Sequence, residues 1–259
     1  EQSEKEVAKI SRFLDLFCEY IGERPFARVE SINFVPTAAG LASSASAFAA
    51  LSLAVADALK LDMTRQELST FARRGSGSST RSLFGGFVEW EMGTSSEDSM
   101  AHPVDDADWD VGMLVLVVDS QEKKIASRIG MEHTVQTSPF YPAWIESARE
   151  DLQAMKAAIA EKDFETLGRI TEHNGFKMHA TTLSANPPFT YWSADSLLAQ
   201  EAVRQVREEL QVPAYMTMDA GPNVKVLCRA SDMGRLQKAL SAHFPVEKII
   251  SSLPGPAAY

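Results

Sequence analysis

Apolar residues recur along this chain at two spacings, one helical and one extended, and the switches between them outline the fold. Val7, Ile10, Phe13, Leu14, Phe17, Cys18 and Ile21 share one face of a helix that ends near Gly22. The segment "ARVESINFV" (27–35) alternates apolar with polar and predicts a strand. A small-residue turn, "PTAAGLASS", then feeds a long alanine-rich apolar helix reaching residue 59. Thr64 and Glu67 have the spacing of a capping box for a helix over 65–73, and "GGFVEWEM" (85–92) predicts a strand. Residues 94–110 are polar and acidic and predict a surface connection or domain boundary.

Beyond that boundary, "GMLVLVVD" (112–119) is a continuous aliphatic run and predicts a buried strand. Helices over 140–160 and 163–180 meet at the turn "EKDF", and "ANPPF" (185–189) breaks the chain before a helix over 195–210. "AYMTMDAGPNVKVLC" (214–228) predicts strand, tight turn, strand; a helix over 232–243 and a short strand near 246–251 close the pattern. Helices and strands mix without regular βαβ alternation. The predicted class is therefore α+β in two layers, with lobes over 1–109 and 110–259.

Composition narrows the chemistry. At 259 residues and 45% hydrophobic content, the chain can bury one large core or two smaller ones. A net charge of −10 argues against a broad nucleic-acid or anionic-membrane surface, which would need Lys and Arg to neutralise phosphates. No apolar run approaches the ~18 residues of a membrane-spanning helix. A small polyanion would have to be held locally, by a few placed donors and helix ends. Cys18 and Cys228 lie far apart with no C-x-x-C, and read as reduced thiols of a cytoplasmic protein, with a disulfide as the alternative. None of the five histidines has metal-ligand spacing, and His179 in "MHATT" reads as packed or capping. No G-x-S-x-G occurs, and no Gly-Lys pair, which excludes a Walker A loop.

Four stretches carry candidate chemistry. In "PTAAGLASSAS", Gly40, Ala42, Ser43 and Ser44 are small enough for a phosphate to approach the free N–H groups of a helix start; the alternative is a capped, closely packed helix. In "RRGSGSSTRSLFGG" (73–86), Ser76 and Ser78 offer hydroxyls, Gly75 and Gly77 offer backbone conformations closed to other residues, and Arg81 offers a planar fork for carboxylate or phosphate. A solvated loop with a salt-bridged arginine is the plainer alternative. In "TMDAGPNVK", Asp219 stands at a strand end, where a carboxylate could act as a base, bind a cation, or simply form the turn. In "KKIASRIGM", Ser127 and Arg128 follow a predicted strand and are weak candidates alone.

Together these stretches resemble the diphosphomevalonate decarboxylase family of the GHMP kinase superfamily. The matching pieces are "NFVPTAAGLASSASAFAAL", "RRGSGSSTRSLFGGFVEWEMG", "SRIGM", "EKDFETLGRITEHNGFKMHATTLSANPPFTYW" and "YMTMDAGPNVKVL". The resemblance implies a two-lobed fold: a ribosomal protein S5 domain 2-like N-terminal lobe and a ferredoxin-like C-terminal lobe of helices on an antiparallel sheet, meeting at a cleft. It implies ATP-dependent conversion of mevalonate 5-diphosphate to isopentenyl diphosphate, with Mg²⁺, in the cytoplasm, by a homodimer. It implies that Ser76, Gly77, Ser78, Ser79 and Thr80 form the substrate loop, that Arg81 orients the substrate carboxylate, and that Ser127 and Arg128 meet its diphosphate. Gly40, Ala42, Ser43 and Ser44 fall beside the ATP phosphates, and Asp219 near the tertiary hydroxyl as the catalytic carboxylate. The family's early Tyr-Trp-Gly-Lys motif is absent, so an N-terminally incomplete, inactive chain is one alternative, and a sister small-molecule kinase another.

Overall fold

The structure, a computed structural model, describes residues 4–33, 43–119 and 125–259. The described residues fall into two compact units: 4–33, 43–106 and 255–259 in one, 107–119 and 125–254 in the other.

The first unit is built on helices. α1 (Glu4–Asp15) and the single turn α2 (Cys18–Ile21) divide the expected N-terminal helix, which ends at Gly22 in the left-handed region (φ 75°). α3 (Ser43–Ala58) and α4 (Arg65–Gly75) follow. The α4 start carries the full capping box, Thr64 side chain to the Glu67 N–H and Glu67 carboxylate to the Thr64 N–H. Phe13, Phe17, Phe48, Phe71 and Leu83 form the core, with the rings of Phe17 and Phe71 stacked at 4.7 Å. Residues 77–83 are not an open loop but a 3-10 helix, and β1 (Phe87–Trp90) follows.

Two expectations need correction in this unit, one of them a strand over 27–35 whose last two residues lie outside the described residues. Residues 27–33 alternate as a strand would, yet among the described residues no strand pairs with them, and Phe26 and Ile32 stand exposed. Alternation specifies two faces, but a strand also needs a neighbour for its ladder. Conversely, the stretch 94–110, expected as a surface connection or domain boundary, does contain the division between the two units at 106/107, but it also holds β2 (Ala101–Asp105), antiparallel to β1. Its Pro103 is tolerated because a two-stranded ribbon consists of edges, where a missing N–H breaks no central ladder.

The second unit centres on a four-stranded antiparallel sheet. In chain order its elements are β3 (Gly112–Leu116), α5 (Ser127–Thr137), α6 (Tyr141–Ala160), α7 (Phe164–Leu183), α8 (Ala194–Leu210), β4 (Ala214–Thr217), β5 (Val224–Cys228), α9 (Met233–Leu240) and β6 (Ile249–Ser252). The strand order is β4-β5-β3-β6. Alternate residues Ala214, Met216 and Met218 join a core with Val203 and Val206 of α8 and Leu236 and Leu240 of α9. The intervening Tyr215 and Thr217 face α7, which approaches so closely that a Cβ at Gly168 would collide with the Tyr215 ring. At β4 the sheet is thus covered on both faces, one layer more than expected. Helix α5 was not anticipated; its hydrophobic pattern is weak, since Ile129, Met131 and Val135 are exposed and only Gly130 and Thr134 are buried.

β4 is an edge strand, and α7 blunts it. Glu172 accepts the Met216 N–H (2.8 Å) and pairs with Arg207 of α8 (3.1 Å), so one carboxylate ties together sheet edge and two helices.

Candidate active site

The hydroxyl turn of the first unit is assembled by short-range chemistry. α4 ends at Gly75, Ser76 leaves the helix extended, and the 3-10 helix begins at Gly77. Ser76 Oγ lies 3.2 Å from Ser44 Oγ at the start of α3 and 3.5 Å from Ser78 Oγ. Three hydroxyls from two segments therefore stand in one row. Ser43 is half-buried beside them, while Gly40 and Ala42 lie outside the described residues.

Ser79 and Thr80 are fully buried and point inward. The Ser79 hydroxyl donates to the Ser44 carbonyl (3.3 Å), and that of Thr80 to the Ser69 carbonyl (3.4 Å). Neither glycine serves the purpose expected of it, for neither has a positive φ. Gly75 is needed for closeness instead: an added Cβ would come within 2.7 Å of three ring carbons of Phe48. Gly77 merely rests on Trp90.

Arg81 is exposed, and among the described residues it has no carboxylate partner; its guanidinium lies 5.9 Å from the Trp90 ring. Surrounding protein draws its pKa down by desolvation, though an arginine remains charged at neutral pH. A guanidinium with no carboxylate partner among the described residues, carried on the same 3-10 helix as Ser78, is a donor for carboxylate or phosphate oxygens.

The candidate group of the second unit gathers around the β4–β5 turn. Asp219 follows the strand and is half-exposed, with its carbonyl accepting the Gly221 N–H (2.7 Å). Two anchors fix the turn: Ser196 donates to the Pro222 carbonyl (2.8 Å), and the buried Asn223 amide oxygen accepts the N–H groups of Val118 and Asp119. Asp219 Oδ1 lies 2.8 Å from Lys225 Nζ. Lys225 pairs with Thr217 across the ladder, so its side chain rises on the α7 face, and it is only 15% exposed.

His179 of α7, fully buried, places Nε2 3.2 Å from the Met218 carbonyl, the peptide group just before Asp219. Burial pushes its pKa down, a trend strengthened by Lys225 and opposed by Met218 and Asp219. Tyr191 belongs to the same neighbourhood: burial and the Asp219 charge both push its pKa up, and a Cβ at Gly130 of α5 would collide with its hydroxyl. Ser127 and Arg128 form the first turn of α5, where helix N–H groups favour an anion; Arg128 is exposed, with no acidic partner among the described residues.

The sequence reading missed Lys225. Its signal was present: a lone lysine interrupts the apolar run "NVKVLC", and a buried strand admits a lysine only with a counter-charge. His179 is packed, as read, yet it braces the peptide beside the candidate carboxylate.

Fold and donor chemistry together define the class, an α+β protein of the GHMP kinase fold. Residues 1–101 match the family described as "Diphosphomevalonate decarboxylase-like N-terminal domain", and residues 113–256 that described as "Mevalonate 5-diphosphate decarboxylase C-terminal domain". The mevalonate diphosphate decarboxylase from Enterococcus faecalis is 47% identical, with a TM-score of 0.91 over 99% of this chain and 78% of that one. The solved structure of MDDEF in complex with MVAPP, AMPPCP and magnesium is 48% identical, with a TM-score of 0.92 over 99% and 79% of the two chains. Diphosphomevalonate decarboxylase of Candida albicans is 39% identical over 221 residues, 83% of this chain and 61% of its relative. The chain spans about 57–61% of the length of three curated relatives that it matches. It belongs to the diphosphomevalonate decarboxylase family.

Proposed function

We propose that the protein catalyses the ATP-dependent decarboxylation of mevalonate 5-diphosphate to isopentenyl diphosphate, releasing CO₂, ADP and phosphate. The observation that carries this reading is the 48% identity, over 99% of the chain, to a protein solved in complex with MVAPP, AMPPCP and magnesium. The donor sets support it. Arg81, with no carboxylate partner among the described residues, fits a carboxylate, the hydroxyls of Ser76 and Ser78 fit phosphate oxygens, and Ser43 and Ser44 at the start of α3 fit the nucleotide phosphates. Ser127 and Arg128 fit a diphosphate at the start of α5. The buried hydroxyls of Ser79 and Thr80 suit holding the turn, leaving their backbone for any ligand.

The chemistry has a consistent electron balance. A tertiary hydroxide is a poor leaving group, so ATP first transfers its γ-phosphoryl to that oxygen while Asp219 takes the hydroxyl proton. The C–O bond then breaks, and phosphate departs with the electron pair. The pair of the bond to the carboxylate becomes the alkene, and CO₂ leaves. Asp219 gives up the proton it took to solvent before the C–O bond breaks, and the restored carboxylate then stabilises the positive charge developing on carbon, an effect of roughly several kcal/mol for a preorganised group. Mg²⁺ accompanying ATP neutralises charge on the phosphoryl oxygens.

The test is to supply purified enzyme with ATP, Mg²⁺ and mevalonate 5-diphosphate and follow ADP and CO₂ together. Equal release of both is expected. ADP without CO₂ would indicate a phosphotransferase, and neither product would overturn the reading. Among the described residues no helix is long and apolar enough to cross a membrane. Two free thiols support a cytoplasmic setting, and the family likeness a homodimer, which analytical ultracentrifugation would test.

A further inference from the structure

We propose that Lys225 is a positioning residue for Asp219, holding one carboxylate oxygen so that the other is presented to the reacting hydroxyl. The proposal rests on the role given to Asp219 above. The geometry that carries it is local to the second unit. Lys225 Nζ is itself buried, and among the described residues its single ion-pair partner is Asp219 Oδ1, at 2.8 Å. At that distance the ammonium and the carboxylate attract each other directly as opposite charges. Asp219 is different at its other end. Its carboxylate is half-exposed, and Oδ2 makes no hydrogen bond among the described residues. A carboxylate held at one oxygen and open at the other is fixed in rotamer and still able to meet a ligand.

The surroundings leave little freedom for this arrangement. Thr217 and Lys225 are ladder partners, so the lysine stem leaves the sheet at a fixed point. The turn between the two charged residues is tied at Pro222 and Asn223. His179 braces the Met218 carbonyl directly before Asp219, and its burial-depressed pKa keeps it neutral, so Lys225 supplies the positive charge against the carboxylate. A lysine serving the fold alone would not need this site: a methionine of similar length would fill the same space without desolvating an ammonium.

The experiment compares Lys225→Met, Lys225→Arg, Asp219→Asn and the Asp219→Asn/Lys225→Met pair in the purified enzyme, measuring kcat, both KM values and thermal stability. Loss of positioning lowers kcat by about 10- to 100-fold in Lys225→Met while both KM values stay within about 3-fold, because misplacement by ~1 Å costs on that order. Lys225→Arg recovers much of the loss. The pair turns over no more slowly than Asp219→Asn alone, since residues acting as a unit are not additive. A folded Lys225→Met with kcat within about 2-fold of the parent overturns the proposal, provided Asp219→Asn itself lowers kcat. If Asp219→Asn keeps its turnover, the role of Asp219 itself falls. Should Lys225→Met fold poorly, Lys225→Gln carries the same comparison with a polar end in place of the ammonium.

Discussion

Gly75→Ala tests why the hydroxyl turn contains glycine at its start. If the glycine supplied backbone freedom, alanine would be penalised by strain in φ. The backbone at Gly75 has no positive φ, so the cost must come from Phe48, three of whose ring carbons would lie within 2.7 Å of the new Cβ. Ordinary carbon–carbon contact begins at ~3.5 Å, so the ring must retreat by about 1 Å. It has little room. Phe48 is 6% exposed and packs edge-to-face on Phe13 at 4.9 Å. Overpacking of this kind costs about 1–3 kcal/mol. Alanine recovers up to ~1 kcal/mol over glycine inside a helix, and less at its last residue, where Gly75 stands. The net expectation is a loss of about 1–2 kcal/mol, or roughly 2–8 °C in the melting temperature followed by calorimetry or circular dichroism. The diagnostic variant is Gly75→Ala with Phe48→Leu. A smaller side chain makes room for the Cβ, so the pair should lose at least ~1 kcal/mol less than the sum of the singles. Additive losses would refute the contact explanation.

Glu172→Ala removes the acceptor shared by Arg207 and the Met216 N–H, and urea unfolding should show a loss of about 2–4 kcal/mol. An unchanged midpoint would mean that β4 is held by its ladder to β5 alone. His179 sets a pH dependence. The unfolded imidazole takes up a proton near its ordinary value of ~6.5, whereas burial holds the folded one lower; between those values only the unfolded state binds the proton. Stability is therefore lost as pH falls below ~6.5, and His179→Leu should lose less over the same range; parallel curves would refute this assignment.

Where the sequence states a local rule, the structure follows it. The Thr64 capping box, the continuous aliphatic strand β3 and the turn around Asp219 each depend on residues close in the chain. The rule fails when the deciding partner is distant. Residues 27–33 have the alternation of a strand without a paired neighbour among the described residues, while "AHPVD" has a poor strand pattern but finds β1 to pair with. Helix α5 escaped notice because three of its large apolar residues face outward, which erases the periodicity on which such readings rely.

The candidate site divides along the same line. Motif spacing identifies which residues can bind oxygen-rich ligands, but it does not say which side chains are free to do so. Ser76 and Ser79 are equivalent in the string "GSGSST", yet one joins the row of hydroxyls and the other closes on the Ser44 carbonyl inside the unit. The backbone makes that difference: Ser76 stands in extended conformation between α4 and the 3-10 helix, whereas Ser79 lies inside the 3-10 helix. Lys225 was legible in another way. An ammonium inside an apolar strand is costly without a counter-charge, so the lysine in "NVKVLC" predicts a nearby carboxylate, and the turn preceding it offers Asp219. The residue that looks wrong for its element is the one that reveals the pairing.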